Sequence, residues 1–134
     1  MSARSTRLVV WLCCSLVLAE QKPRMLEARD ARRLVWEALP QQAKRLPGID
    51  IVPGHRSGPE PRLTFDVVWA NPGPGSFHVD FYTVDLRTGA LWRGVLCEPV
   101  ATPRVARIQQ ELRKRLGITE SEYRKALDRN LCLE

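Results

Sequence analysis

Asp66, His78 and Asp80 occupy polar positions in two neighbouring runs where apolar and polar residues alternate, Leu63 to Trp69 and Phe77 to Tyr82. If the runs pair as a hairpin with Trp69 opposite Phe77, Asp66 comes opposite Asp80 and Val68 opposite His78. Carboxylates that face each other across a ladder repel, and one of them is then held protonated at higher pH, as a general acid requires. Arg93, on the following strand, would face the same way and neutralise the pair. This is the best case for hydrolase chemistry in the chain. A solvated sheet face balanced by Arg93 accounts for the same residues without catalysis, and a one-residue slip in register dissolves the pair. No serine sits in a Gly-x-Ser-x-Gly elbow, and His55 falls in a loop rich in glycine and proline. The reading is therefore non-enzymatic, with no catalytic residue and no cofactor.

The cysteines point to structure. Cys97 and Cys132 are the two outside the N-terminal apolar segment, and in an oxidising compartment they are expected to pair. That bond would tie the end of the last strand to the end of the last helix. His55 and His78 do not complete a common zinc spacing with these cysteines, so no metal site is expected.

Residues 1–19 read as a cleavable secretory leader. Arg4 and Arg7 precede an unbroken apolar stretch from Leu8 to Leu18, and Val17 and Ala19 fit a small-residue cleavage site. The stretch is too short for a membrane span, which needs about 20 apolar residues. Cys13 and Cys14 lie inside it as apolar filler. Residues 20–134 then form one domain, periplasmic or extracellular, with no stable span after cleavage. Losing the leader removes two of the 21 basic residues and none of the 15 acidic ones, lowering the net charge from +6 to +4. That is far from the concentrated basic footprint of a nucleic-acid binder, so no nucleic-acid partner is expected.

The elements follow from spacing. A helix is expected from Met25 to Arg45, with Ala31, Leu34, Val35 and Leu39 on one face and a break at Pro40, which lacks an amide donor. A short strand at Ile49 to Val52 precedes a loop from Pro53 to Pro61. Three strands should form a meander: Leu63 to Trp69, Phe77 to Tyr82, and Ala90 to Cys97. Its apolar face would carry Phe65, Trp69, Phe77, Phe81 and Trp92. Thr102 and Pro103 open a helix with Val105, Ile108, Leu112 and Leu116 inward. Gly117 ends it, and Thr119 with Glu122 forms a capping box that starts another. The expected class is α+β: an N-terminal helix packed on a three- to four-stranded antiparallel meander, followed by a C-terminal helical hairpin.

The helix, Pro47 and Gly48, and a meander whose last turn reads Val84-Asp85-Leu86-Arg87-Thr88-Gly89-Ala90-Leu91 resemble a PepSY-type, cystatin-like exported module over about residues 25–96. The resemblance implies an accessory or inhibitor-like domain that binds another protein, with no catalytic residues to carry over. The candidate interaction face is then Asp66, His78, Asp80, Tyr82 and Arg93, together with the Pro53 to Pro61 loop or an unpaired sheet edge. A second possibility is binding to an anionic cell-envelope surface through Arg104, Arg107, Arg113, Lys114, Arg115, Arg124, Lys125 and Arg129, although Glu111, Glu120, Glu122 and Asp128 interrupt that field.

Overall fold

A computed structural model describes residues 24–54, 60–70 and 76–134. The leader, His55 with most of its loop, and the 71–75 connection lie outside the described residues. Within them, the first helix is interrupted where expected. Helix α1 (Ala28–Ala38) gives way at Leu39 and Pro40 to one further turn, α2 (Gln41–Lys44). Ala31, Leu34, Val35 and Leu39 are buried, as their spacing predicts.

The sheet has five antiparallel strands in chain order: β1 (Ile49–Pro53), β2 (Arg62–Ala70), β3 (Ser76–Asp85), β4 (Leu91–Arg93) and β5 (Glu98–Pro99). The strand expected from Ala90 to Cys97 stops at Arg93, residues 94–97 form a turn, and a further strand follows it at Glu98. Gly94 takes a φ of 71° and Cys97 a φ of 50°, so the chain reverses between them instead of running on, and glycine meets that demand at no steric cost. Helices α3 (Pro103–Leu116) and α4 (Glu120–Arg129) and a 3-10 turn (Leu131–Leu133) complete the fold. The Thr102 hydroxyl accepts from the Val105 amide, Gly117 ends α3 at a φ of 70°, and Thr119 and Glu122 form the reciprocal capping box. The Thr119 amide and hydroxyl hold the Glu122 carboxyl below its ordinary range.

The α+β class is as expected, but the sheet has helices on both faces. Phe65, Val67, Tyr82, Val84 and Leu91 pack against α1 and against Val105, Ile108 and Leu112 of α3. Trp92, next to Leu91, necessarily points the other way, because successive strand residues alternate. It joins Ala90, Cys97 and Leu131 in a second cluster, covered by Tyr123, Ala126 and Leu127 of α4. The two C-terminal helices thus serve opposite faces. They meet where the Tyr123 hydroxyl donates to Gln109 Oε1 at 3.2 Å and the Arg113 guanidinium lies 4.0 Å from the Tyr123 ring centre. The Asp30 carboxylate of α1 accepts from Arg115 of α3 at 2.7 Å, closing the first layer.

The Asp85 turn is built from local acceptors. Asp85 Oδ1 takes the Arg87 amide at 3.0 Å, its second oxygen takes the Thr88 hydroxyl, and the Gly89 amide reaches the Asp85 carbonyl at 2.8 Å, with Gly89 at a φ of 76°. Asp85 is almost wholly buried, so its lone pairs must be met inside the turn.

Candidate interaction surface

The predicted carboxylate pair is not formed. The register runs as expected next to the 71–75 connection, Trp69 to Phe77 and Val68 to His78, and then shifts. Val67 lies opposite Asp80 and Asp66 opposite Phe81, leaving Val79 as the extra residue of a β-bulge. A bulge sets two residues against one, so every side chain beyond it changes face. Its effect is to divide the five candidate residues between the two faces.

Asp66 and His78 share the face away from α1, with His78 Nε2 3.2 Å from Asp66 Oδ1, both about half-exposed. Phe81 lies beside them, its ring centre 6.4 Å from that of His78, instead of in the helix-covered core. Asp80, Tyr82 and Arg93 lie on the face covered by α1 and α3. Arg93 Nε donates to Asp80 Oδ2 at 2.5 Å, while Asp80 Oδ1 accepts the Phe81 amide at 2.8 Å. This hydrogen bond with Asp80 raises the Arg93 pKa further. Arg93 therefore neutralises Asp80 alone. Tyr82 is not a surface aromatic: it is fully buried, and burial pushes its phenol up, with the Arg93 charge acting against that. The two aspartates therefore lie on opposite faces, Asp66 beside His78 and Asp80 bonded to Arg93, and do not form the facing pair considered for acid–base chemistry.

Strand addition at the sheet edge is also obstructed. In β1 the groups that point away from β2 belong to Ile49, Ile51 and Pro53, because the intervening residues face the ladder. The Ile49 amide donates to the Leu46 carbonyl at 3.3 Å. The Ile51 amide donates to Asp50 Oδ1 at 2.8 Å, and its carbonyl accepts from Arg32 Nε at 3.4 Å. Pro53 has no amide. An Arg32–Asp50 ion pair at 3.1 Å holds this arrangement. The other edge, β5, is two residues long and includes Pro99. Charges and prolines at edges are the usual defence against unwanted pairing. Replacing both Arg32 and Asp50 by alanine is expected to change stability by less than about 1 kcal/mol, since the pair is exposed, yet to produce concentration-dependent association in sedimentation velocity. A double variant that stays as dispersed as the parent would refute this role for the pair.

Five of the eight basic residues singled out on the last two helices have acidic partners. Arg104 pairs with Glu37 at 3.3 Å, Arg113 and Arg124 with Glu120 at 3.3 and 3.5 Å, Arg115 with Asp30 at 2.7 Å, and Arg129 with Glu60 at 2.7 Å and Glu134 at 3.0 Å. Such pairing weakens the field that these five could present to an anionic surface. Among the described residues no group of three or more His, Cys, Asp or Glu side chains could hold a metal ion, and no helix is long and apolar enough to cross a membrane.

Among the described residues the most exposed aliphatic side chains include two from the run expected to be a strand. Val95 and Leu96 stand 80% and 75% exposed on the turn between β4 and β5, and Leu133 is 70% exposed beside Cys132. Cys97 and Cys132 are disulfide-bonded, with Cα atoms 5.6 Å apart, so the turn and the C-terminus are held together. The sequence signal for this turn is Gly94, which sits within a run of good strand formers.

No family model matches the chain, and no curated protein matches it. Among solved structures it is similar to a chain in the structure of a type VI secretion system effector-immunity complex from Pseudomonas protegens, at 20% identity and a TM-score of 0.64. The correspondence covers 85% of this chain and 95% of that one. What it establishes is the fold. No PepSY-type or cystatin family is shown by these comparisons.

Proposed function

We propose that this protein is a small exported binding module of the immunity type, which protects its cell by docking on a secreted toxic effector. The observation that carries the proposal is the fold shared along nearly the whole length of a chain taken from an effector-immunity complex, a likeness too extensive for a single recurring substructure. Export to the periplasm or beyond is part of the proposal. It is supported by the leader pattern of residues 1–19 and by the Cys97–Cys132 bond, a linkage that persists in oxidising compartments and is rare in the cytosol. The split of Asp66 from Asp80 and the occupied β1 edge favour recognition by side chains over either hydrolysis or strand addition.

A co-culture experiment tests this directly. A strain of the source organism lacking the protein should lose fitness by at least tenfold when grown in contact with its parent, and should recover when the full-length chain is supplied. A version without residues 1–19 should fail to rescue it. Equal survival of the deletion strain in contact with its parent would rule out the immunity role, while rescue by the leaderless chain would rule out the export component alone.

A further inference from the structure

We infer that the turn bearing Val95 and Leu96, with Leu133 across the disulfide, is the contact knob that enters an apolar pocket on a protein partner. This rests on the binding role proposed above and names the surface that performs it. Aliphatic side chains at a turn tip gain nothing for the fold by remaining in water, and these three are the most exposed large apolar side chains among the described residues. Their frame is nonetheless fixed from several directions. The Gly94 amide donates to the Phe81 carbonyl at 2.9 Å, and the Cys97 amide donates to the Gly94 carbonyl at 3.2 Å. Asn130 Nδ2 donates to the Cys97 carbonyl at 3.1 Å, Arg93 is bonded to Asp80 at the base of the turn, and the disulfide ties the whole to the C-terminus. A contact loop ordered in advance loses less entropy on binding.

The size and shape of the knob select the occupant. An aliphatic side chain of this size offers roughly 60–120 Å² of apolar surface, so the three together offer roughly 200–350 Å². One side of a standard stable interface buries about 800 Å². A second copy meeting this one tip to tip would be far short of that, and a convex tip does not complement itself as a twofold contact requires. A concave site on a different protein does complement it, with the sides of the turn adding area. Beside the tip lies a shallow depression of about 170 Å³, bounded by Arg93, Val95, Leu96 and Glu98. It supplies a notch with a charged rim around the apolar centre, the usual anatomy of a protein contact.

Photo-crosslinking in the source organism, with p-benzoylphenylalanine in place of Leu96, His78 or Lys114 in the full chain, tests the assignment. Position 96 should give one discrete adduct with a different protein, and position 114, on the outer face of α3, should give none. Replacing Val95 and Leu96 by serine should leave the unfolding temperature unchanged while reducing recovery of that same protein by roughly 30-fold or more, as expected for a hot spot. An adduct from position 78 but not 96 would overturn the knob and leave the binding role standing. An adduct at 96 with a second copy, or loss of binding to phosphatidylethanolamine–phosphatidylglycerol vesicles in the serine variant, would also overturn it. Failure of all three positions to capture any protein would remove the binding role, and the knob with it.

Discussion

Replacing Trp92 by alanine is expected to destabilise the protein by about 3–5 kcal/mol, the range for truncating a buried tryptophan. Trp92 is fully buried and stands at the centre of the second cluster, between Ala90, Cys97 and Leu131 and the Tyr123, Ala126 and Leu127 stripe of α4. Without it, α4 has little apolar surface to rest on, since none of its own residues is fully buried. A domain of this size is stable by only about 5–15 kcal/mol, so the variant should unfold at markedly lower urea. Trp92→Phe should cost less, because it keeps most of the apolar volume and removes an indole N–H that has no hydrogen-bond partner among the described residues. Urea unfolding of both variants measures this. A Trp92→Ala loss below about 1 kcal/mol would show that the second cluster contributes little to the fold.

Breaking the Cys97–Cys132 bond, by reduction or by replacing both cysteines with serine, should cost about 3–4 kcal/mol. The bond closes a loop across a sequence separation of 35 residues, and chain entropy in the unfolded state gives that magnitude. For a domain of about 110 residues the unfolding temperature should fall by roughly 10–20 °C. The loss is directed at one region, because the bond joins the β4–β5 turn to the 3-10 turn at the C-terminus. Besides the bond, Asn130 donates to the Cys97 carbonyl and Arg62 to the Leu131 carbonyl, and Cys97 and Leu131 share the second cluster. Thermal unfolding with and without reductant is the measurement, and identical curves would contradict the stabilising role of the bond.

Where local chemistry decides the backbone, the amino-acid order was sufficient. Pro40 breaks the first helix, Thr102, Gly117, Thr119 and Glu122 bound the last two, and Cys97 pairs with Cys132. The candidate face was misread because its parity depends on one bulge. Phe77, Val79 and Phe81 alternate without a fault, and nothing in that triplet announces that Val79 is extra. The slip shows only in the Phe81-Tyr82 doublet, where the apolar phase changes from odd to even and continues in Val84. Similarly, Leu91 and Trp92 are adjacent and both buried because helices cover both faces of the sheet, an arrangement that period-two reading treats as a single face. The β4–β5 turn was missed because Val95 and Leu96 are good strand formers whose exposure is set by Gly94 and the disulfide, a tertiary constraint acting against local propensity.

Native mass spectrometry of the full chain recovered under non-reducing conditions from the source organism tests the binding role most directly. A 1:1 complex with a different protein, containing a chain that begins at Glu20 and retains the Cys97–Cys132 bond, is the predicted result. A chain recovered only as a monomer, or only with copies of itself, in cells that contact their siblings would contradict it.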